Sequence, residues 1–413
     1  MNNIITKLKS GRIHNLITVL QDQFNTKSMS NIPTQYKLDV LCCALGLCYD
    51  ELDSLIADNS PVFRTIKGHC FEVALEKVLA KNGISSKDIG GDGDVDLVVN
   101  GHNLQLKTPN MAGTTDFVCQ YKTHKTHGAK SEDESMDYYH KVDDFAEFFV
   151  GLISYDPFEV FIIPKEKLPR HHLDDSYIVS PFTISKKKGY DLDMSEYVNA
   201  FNLIGISMNN IDVSSIVNGQ NEMLPKTSQK LGLTTDIVLN TILREENFRI
   251  WDMSIRGFAR EVVIKRFLKN IGVKCSDEPQ KYRMERGEKA DLAVVRKSDT
   301  IFLQVKGIST TKCKFSGMDS IIATETQLTR GRVNDHPTQS RLYMCSDFDY
   351  LLLAIDPPVS YMIFDKPEWS VFLIPTDELD RHNIYSRRLS SLQKFTASEL
   401  LKYDITKFKS LLL

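Results

Sequence analysis

The apolar positions of the chain form the same pattern twice. Residues 73–82 read VALEKVLAKN and residues 262–271 read VVIKRFLKNI, and in both stretches apolar residues recur at helical spacing. A glycine, Gly83 or Gly272, follows each stretch where a helix commonly ends. The pattern therefore predicts one amphipathic helix in each half of the chain. A similar segment, IKGHCFE at 66–72 or IRGFARE at 255–261, leads into each helix.

Short apolar runs after each predicted helix are typical of β-strands. DLVV at 96–99 and LQLK at 104–107 flank an Asn-Gly turn in the first half, and DLAV at 291–294 and LQVK at 303–306 form the matching pair in the second. Further apolar runs lie at 148–154 and 160–164, and at 350–356, 361–364 and 371–375. Helices outside and β-branched strands inside predict an α/β fold for each half.

The order of these matches indicates a tandem duplication. The two glutamates, Glu72 and Glu261, are separated by 189 residues (261 − 72), and LGLCYD at 45–50 matches LGLTTD at 231–236. A linker rich in Asn, Ser and Gly lies at 209–226. We therefore predict two α/β domains, each a central mixed β-sheet flanked by helices with a small helical subdomain before it. The first spans 1–215 (helical subdomain 1–60, core 61–200) and the second spans 216–413 (helical subdomain 222–252, core 253–413).

Composition changes this picture little. The 413 residues are 42% hydrophobic and 25% charged, which is typical of a soluble globular protein. The sequence contains no apolar run of roughly 18 residues and its first residues have no signal-peptide core, so the expectation is a cytoplasmic protein without membrane association. Eight scattered cysteines are expected to be reduced. A net charge of −3 is weak evidence against a nucleic-acid partner, because acidic metal sites and a basic groove can cancel in the sum.

The second half shows why the repeated polar residues suit metal-dependent chemistry. Side chains alternate between the faces of a strand, so Gln304 and Lys306 should point the same way while Val305 points into the core. Asp291 can lie opposite them, and the predicted helix can bring Glu261 to the same spot. Mg²⁺ prefers oxygen ligands, which Asp291 and Gln304 supply. Lys306 can hydrogen-bond an attacking water and neutralise a phosphate, so the set suits phosphodiester hydrolysis.

The first half repeats the set as Glu72, Gln105 and Lys107 with an aspartate. Three aspartates precede the strand, at Asp92, Asp94 and Asp96. The repeat favours Asp96, because Leu-Val-Val follows it as Leu-Ala-Val follows Asp291. Asp94 has the same strand parity and remains an alternative or an assistant.

Both halves resemble the PD-(D/E)XK nuclease superfamily, which has a restriction-endonuclease-like fold. That family has a Glu on an upstream helix, an Asp at a strand start and a (D/E/Q)-x-K motif on the next strand. The resemblance covers about residues 66–170 and 255–381. It implies two sets of catalytic residues: Glu72, Asp96, Gln105 and Lys107, and Glu261, Asp291, Gln304 and Lys306. It also implies a Mg²⁺ cofactor, which Mn²⁺ can replace, bound by the Glu, Asp and Gln of each set, and double-stranded DNA as the substrate.

The sequence departs from the commonest family pattern in having Gln105 and Gln304 where a carboxylate is usual. Each site then relies more on Glu72 or Glu261, and one half could be degenerate. Basic residues in the polar stretch after each lysine are the predicted DNA contacts: Lys122, Lys125 and Lys130 in the first half, and Arg330, Arg332 and Arg341 in the second. The alternative is that these stretches are solvated loops. His124 and His127 lack partners at the spacing of a zinc site.

The helical subdomains allow two interpretations. Each LGLxxD segment resembles the turn of a helix-turn-helix, which reads DNA with its second helix. The alternative is a helical hairpin that covers the sheet, which the scarcity of basic residues in the second helices favours.

The resulting hypothesis is a DNA endonuclease of the type II restriction kind, with two catalytic cores in one chain. It would act as a monomeric pseudo-dimer or as a homodimer, and a restriction role would require a companion DNA methyltransferase. Three alternatives remain at this point. They are a structure-specific repair, recombination or phage-defence nuclease, a chain with one active and one DNA-binding half, and a non-enzymatic DNA-binding protein.

Overall fold

Two five-stranded sheets organise the protein in the computed structural model. The structure describes residues 13–89, 93–110, 114–123, 139–189, 192–207, 211–217, 222–247, 250–282, 289–297, 299–327 and 342–413. Contacts group the chain into two units. The first-sheet unit is Ile56–Ile250, and the second-sheet unit joins Met1–Leu55 to Trp251–Leu413. Each unit combines helices with one mixed sheet, which confirms the predicted α/β fold class.

The first sheet has the strand order β1-β2-β3-β5-β6. Its strands are β1 (Ser86–Asp88), β2 (Leu97–Val99), β3 (His102–Lys107), β5 (Phe148–Tyr155) and β6 (Phe158–Pro164). β3 is antiparallel to β2 and parallel to β5, and the other neighbours pair antiparallel. β4 (Val118–Tyr121) and β7 (Phe182–Ser185) form a separate antiparallel pair.

The second sheet repeats this topology. Its strands are β8 (Cys275–Ser276), β9 (Leu292–Val295), β10 (Thr300–Gly307), β12 (Tyr350–Ile355) and β13 (Ser370–Pro375). β10 is again antiparallel to the strand before it and parallel to β12, and β11 (Ile321–Glu325) pairs separately with β14 (Leu392–Thr396). The register also repeats, since Gln105 lies beside Phe149 as Gln304 lies beside Leu351. The duplication read from the sequence is therefore present in the backbone.

Ten helices accompany the sheets in the described residues of the chain. They are α1 (Ile13–Phe24), α2 (Thr34–Leu45), α3 (Tyr49–Asp58), α4 (Ser60–Lys81), α5 (Pro225–Leu231), α6 (Thr235–Ile242), α7 (Arg256–Asn270), α8 (Pro357–Phe364), α9 (Ala397–Leu400) and α10 (Lys409–Leu412). The two long predicted helices are α4 and α7, and each packs on its sheet. Gly83 and Gly272 follow them with φ of 74° and 86°, a left-handed backbone that suits glycine and ends the helix as predicted.

Both faces of the second sheet are buried. Val305 packs toward α7, in a cluster that includes Ile264 and Leu268. Phe302 lies on the other face with Ile322 of β11 and Val359 of α8. Val305 therefore points into the core as the alternation predicts, and Gln304 shares the face of Phe302.

The apolar run at 361–364 belongs to a helix and adds no strand. Pro357 and Pro358 stand in the first turn of α8, where a fixed φ favours helix and a missing N–H costs nothing. Within the run Ile363 is buried against the sheet, as is Val359 one turn earlier in α8, so the apolar character of the run indicates burial and not strand structure.

The contacts group the helical segments differently from the boundaries that the repeat predicts. In the first-sheet unit, α6 packs along α4, and Lys77 Nζ lies 2.7 Å from Asp236 Oδ2. In the second-sheet unit, α2 packs on α7 and α8, and Trp369 Nε1 donates to the Leu45 carbonyl at 3.1 Å. The boundaries 1–215 and 216–413 follow the order of the repeat along the chain. In space, the helical segment of each half belongs with the sheet of the other half.

The second helices of the two LGLxxD segments cover the cores. In α6, Ile237, Val238, Leu239 and Ile242 are all buried. In α3, Glu51 accepts a hydrogen bond from Arg266 Nη1 of α7 at 2.7 Å. This packing supports the covering-hairpin interpretation over the helix-turn-helix one. Among the described residues, no helix has the length and apolar character of a membrane span.

Candidate active sites

The hairpin of β9 and β10 positions the second candidate site. Asp291 directly precedes β9, and its N–H donates to the Leu303 carbonyl at 3.0 Å, which fixes the backbone at the strand start. One carboxylate oxygen, Oδ2, accepts hydrogen bonds from the Val305 N–H at 2.9 Å and from Gln304 Nε2. The aspartate and the Gln-x-Lys motif are therefore brought together as predicted.

The first site has the same geometry. Asp96 Oδ2 accepts hydrogen bonds from Gln105 Nε2 and from the Leu106 N–H, each at 2.6 Å. The Asp96 N–H donates to the Leu104 carbonyl at 2.9 Å, and Lys107 Nζ lies 3.7 Å from Oδ2. Asp96 is thus the counterpart of Asp291.

The competing aspartates differ in their placement. Asp94 Oδ1 lies 3.0 Å from His140 Nδ1 and so has a different partner. Asp92 lies outside the described residues. Of the three carboxylates that the sequence offered, Asp96 alone is shown with the contacts of Asp291.

Each glutamine has one oxygen without a hydrogen-bond partner. The amide nitrogens of Gln105 and Gln304 are turned to the aspartates, so the amide oxygens point elsewhere. Both Oε1 atoms are buried and make no hydrogen bond. A buried carbonyl oxygen without a partner is costly, and a cation is one partner that would satisfy it. The same unusual feature occurs at both repeat-equivalent positions.

Comparison of the chain with protein-family models, curated proteins and solved structures finds no match. The resemblance to the PD-(D/E)XK nucleases therefore rests on the residues and their arrangement in the two halves.

Charge coupling links the glutamate of α7 to the second site. Burial, and then the negative charge of Asp291, raise the pKa of Glu261 to about 8, and Lys306 opposes the rise. Burial also raises the pKa of Asp291 and lowers the pKa of Lys306. Glu261 thus feels the charges of Asp291 and Lys306, as expected if the helix brings it to the same spot. Two carboxyl groups in little water are the environment that a divalent cation would stabilise.

The first site contains a histidine that the sequence analysis overlooked. Glu72 Oε2 lies 3.0 Å from His69 Nδ1, one helical turn earlier on α4. Burial lowers the pKa of His69, but the hydrogen bond and the charge of Glu72 outweigh burial and raise it. Burial also raises the pKa of Asp96, against the effect of Lys107. The i, i+3 spacing in HCFE was the available signal for His69.

Tyr343 and His140 occupy equivalent positions in the two backbones, and Tyr343 lies beside the second site. The carbonyl of Tyr343 accepts a hydrogen bond from the Leu389 N–H at 2.9 Å, and that of His140 accepts from the Ile178 N–H at 3.0 Å. The Tyr343 ring lies 5.4 Å from Lys306 Nζ, and burial raises the pKa of its hydroxyl. Sequence comparison alone missed this pair, because the two residue types differ.

Arg260 also distinguishes the second site. Its guanidinium lies so close to Gly307 that a Cβ there would overlap it, and its charge helps to lower the pKa of Lys306. The first half has Phe71 and Thr108 at these two positions. The two sites thus share their aspartate, glutamine and lysine but differ in the groups around them.

The donor set of each site is small. Within the described ranges, no three or more His, Cys, Asp and Glu side chains converge as a metal-binding group. Each site instead offers two carboxylates and one amide oxygen, all oxygen donors of the kind that Mg²⁺ prefers.

Only one of the predicted DNA-contacting residues can be placed. Lys122 follows β4 and is exposed. The others, Lys125, Lys130, Arg330, Arg332 and Arg341, lie outside the described residues.

Proposed function

We propose that the chain is a Mg²⁺-dependent DNA endonuclease with two catalytic cores, as its resemblance to the PD-(D/E)XK nucleases implies. One observation carries the proposal. In both halves, a half-buried aspartate at a strand start accepts a hydrogen bond from the amide nitrogen of a buried glutamine, and the glutamine oxygen is buried without a partner. A merely structural hydrogen bond would have no need to leave the same oxygen unsatisfied twice.

The residues fit a divalent cation. Asp96, Gln105 and Glu72 would hold it in the first site, and Asp291, Gln304 and Glu261 in the second. When bound, the ion would act as a Lewis acid that withdraws charge from the phosphate, and Mn²⁺ is expected to replace Mg²⁺. Ionised Glu261 would also be stabilised there, because the cation offsets the repulsion from Asp291.

The lysines have the chemistry of a water-orienting group. Burial lowers the pKa of Lys306, which brings its amine closer to exchanging a proton near neutral pH. In the protonated form the same amine neutralises the phosphate. Arginine could not do both, because it does not lose its proton in proteins. Lys107 holds the equivalent position beside Asp96.

Two cores in one chain suit the cutting of two strands. A homodimer with two-fold symmetry reads symmetric DNA, whereas two diverged halves can read a site without that symmetry. We therefore favour a type II restriction endonuclease acting as a pseudo-dimer, with a companion methyltransferase. A repair, recombination or defence nuclease would use the same chemistry. The different surroundings of the two sites, with His69 near one and Arg260 near the other, support as a second candidate a chain with one active and one DNA-binding half.

Plasmid cleavage tests the proposal. Supercoiled plasmid is incubated with Mg²⁺ and with the wild type, Lys107→Ala, Lys306→Ala or the double variant. Two active cores predict linear product from the wild type and nicked circles from each single variant. The double variant should lose at least about 100-fold in rate, the usual contribution of such a group. EDTA should abolish cleavage by the wild type.

Lys297→Ala is the matched control, because this exposed lysine lies in the turn of the same hairpin as Lys306. Its cleavage should equal that of the wild type. Loss of nicking in either single lysine variant would instead support one active half. Cleavage that persists unchanged in the double variant would rule out both candidate sites.

A further inference from the structure

The two most exposed large apolar side chains among the described residues occupy equivalent positions. Leu173 is 75% exposed and Ile384 is 72% exposed. They are separated by 211 residues (384 − 173). The same separation relates VFIIP at 160–164 in β6 to VFLIP at 371–375 in β13. Single exposed apolar residues are common on protein surfaces and need no function. The same exposure at both copies of one position is a different observation, because scattered exposure has no reason to recur at equivalent positions.

Each of these residues lies in a well-defined loop, at 171–177 or 382–388. The His382 N–H donates to the Arg388 carbonyl at 2.9 Å, as the His171 N–H donates to the Tyr177 carbonyl. The histidine side chain also holds the tip. His382 Nδ1 accepts from the Ile384 N–H at 3.2 Å, and His171 Nδ1 accepts from the Leu173 N–H at 3.3 Å. The exposed side chain is thus presented by a built turn in both copies.

The base of the 382–388 loop lies against the second candidate site. The Leu389 N–H donates to the Tyr343 carbonyl, and Arg388 Nη1 donates to the Leu342 carbonyl at 2.9 Å. Tyr343 is the residue whose ring faces Lys306 Nζ. The loop is thus joined through Tyr343 to the surroundings of Lys306.

The two loops differ in charge. The 382–388 loop reads HNIYSRR, and its Arg387 is exposed. Just before the loop, Asp380 and Arg381 are both exposed. The 171–177 loop reads HHLDDSY, and its Asp174 and Asp175 are exposed, while Arg170 stands at the position equivalent to Arg381. The difference lies within the loops themselves: the arginines of residues 382–388 attract a polyanion, and the aspartates of residues 171–177 repel it.

We propose that the 382–388 loop is a DNA-contacting element that inserts Ile384 between base pairs beside the second site, while Arg381 and Arg387 contact phosphates. This inference rests on the proposed function, because it takes DNA as the substrate. Aliphatic wedges of this kind unstack a base step and bend the duplex. The His382 ring stacks on Tyr385, with centroids 5.0 Å apart, which stiffens the tip for such a role. The 171–177 loop keeps the shape but has Ser176 in the place of Arg387 and two aspartates beside it.

DNA binding and unwinding by the full chain test this inference. In EDTA, which prevents cleavage, affinity for a random-sequence 30-base-pair duplex is measured by fluorescence anisotropy. Unwinding is measured from the linking number of plasmid relaxed by a topoisomerase that needs no metal. Ile384→Ser should lose unwinding and about tenfold in affinity, with an unchanged melting temperature. Leu173→Ser, the matched control, should behave as the wild type. Arg387→Gln should weaken binding and reduce its salt dependence.

The outcomes separate this inference from the proposed function. If the wild type cleaves with Mg²⁺ but Ile384→Ser unwinds DNA normally, the wedge is wrong and the nuclease stands. Equal losses in Ile384→Ser and Leu173→Ser would also overturn it. If unwinding depends on Ile384 but no cleavage occurs with Mg²⁺, the wedge stands and the nuclease is wrong. A wild type that binds no duplex DNA in EDTA overturns the wedge whatever the cleavage assay shows.

Discussion

The carboxyl group of Glu261 should make stability depend on pH. Its folded pKa of about 8 lies above the ordinary value of 4.5, so the folded state favours the protonated form. This contribution to stability is complete below pH 4.5 and is lost as the pH rises through 8. The raised pKa of Asp291 acts in the same direction. We therefore expect the melting temperature of the metal-free protein to fall between pH 5 and pH 8.5.

Calorimetry with and without Mg²⁺ measures this effect. Glu261→Gln should flatten the pH dependence, because the amide does not ionise. Mg²⁺ should raise the melting temperature most at pH 8.5, where the ionised carboxylates bind it best. A slope that is the same in Glu261→Gln and in the wild type would contradict the assignment.

Arg260 and Gly307 form a pair that only the second site contains. In Gly307→Ala the new Cβ overlaps the Arg260 guanidinium, which must move from its place beside Lys306. Since small displacements at a reacting centre can cost about 100-fold in rate, we expect nicking by the second site to slow by 10- to 100-fold. The assay uses the Lys107→Ala background, so that only the second site acts. Thr108→Ala in a Lys306→Ala background is the control at the equivalent position and should have little effect.

At the scale of elements, two helix-ending glycines offer a matched comparison. Gly46 and Gly232 both adopt a left-handed backbone, with φ of 64° and 75°. A Cβ at Gly46 would lie 2.5 Å from Trp369 Nε1, whereas a Cβ at Gly232 would lie 3.8 Å from Tyr155 Cδ2. Gly232→Ala should therefore cost about 1–2 kcal/mol for the backbone alone. Gly46→Ala should cost about 1–3 kcal/mol more, because Trp369 must move. Urea denaturation of both variants would show the difference, and equal losses would contradict it.

Local patterns predicted the elements whose signals are local. The Asn-Gly turn between β2 and β3 has φ of 49° at Asn100 and 86° at Gly101, the positive values for which this dipeptide is known. The helix ends at Gly83 and Gly272 were predicted for a similar reason. The separate strand pairs β4–β7 and β11–β14 were not predicted. Their partners are more than sixty residues apart in sequence, so pairing and not local pattern defines them.

The same limit applies to the candidate sites: residues close together in sequence were predicted, and residues from distant segments were not. Asp, Gln and Lys of each site lie close together in sequence, at the start of one strand and on the next, so a repeated motif was enough to select them. His140 and Tyr343 come from distant segments and are different residue types. What they have in common is that the backbone carbonyl of each accepts a hydrogen bond from an equivalent N–H. Such residues become visible only when the fold brings their segments to the site.

At the scale of the whole molecule, the pairing of helical segments with sheets was beyond sequence reasoning. LGLCYD and LGLTTD are similar enough to cover either sheet, and order along the chain suggests the nearer one. Individual contacts instead group each helical segment with the sheet that is farther away along the chain. Within the second-sheet unit, Trp369 donates to Leu45 and Arg266 donates to Glu51. Within the first-sheet unit, Arg244 donates to Asp88 at 2.6 Å and also pairs with Glu76.

Removal of the first helical segment tests this grouping. A chain that lacks residues 1–47 loses α2, whose buried face packs on α7 and α8. Hydrogen–deuterium exchange should then increase in α7, α8 and β13, while α4 and β1–β3 keep their protection. Arg244→Ala is the reciprocal variant and should increase exchange in α4 and β1 instead. If residues 1–215 and 216–413 instead packed as two separate domains, the truncation would increase exchange in α4 and leave exchange in α7 unchanged. The two patterns of exchange therefore distinguish a chain of two consecutive domains from one whose halves contribute their helical segments to each other.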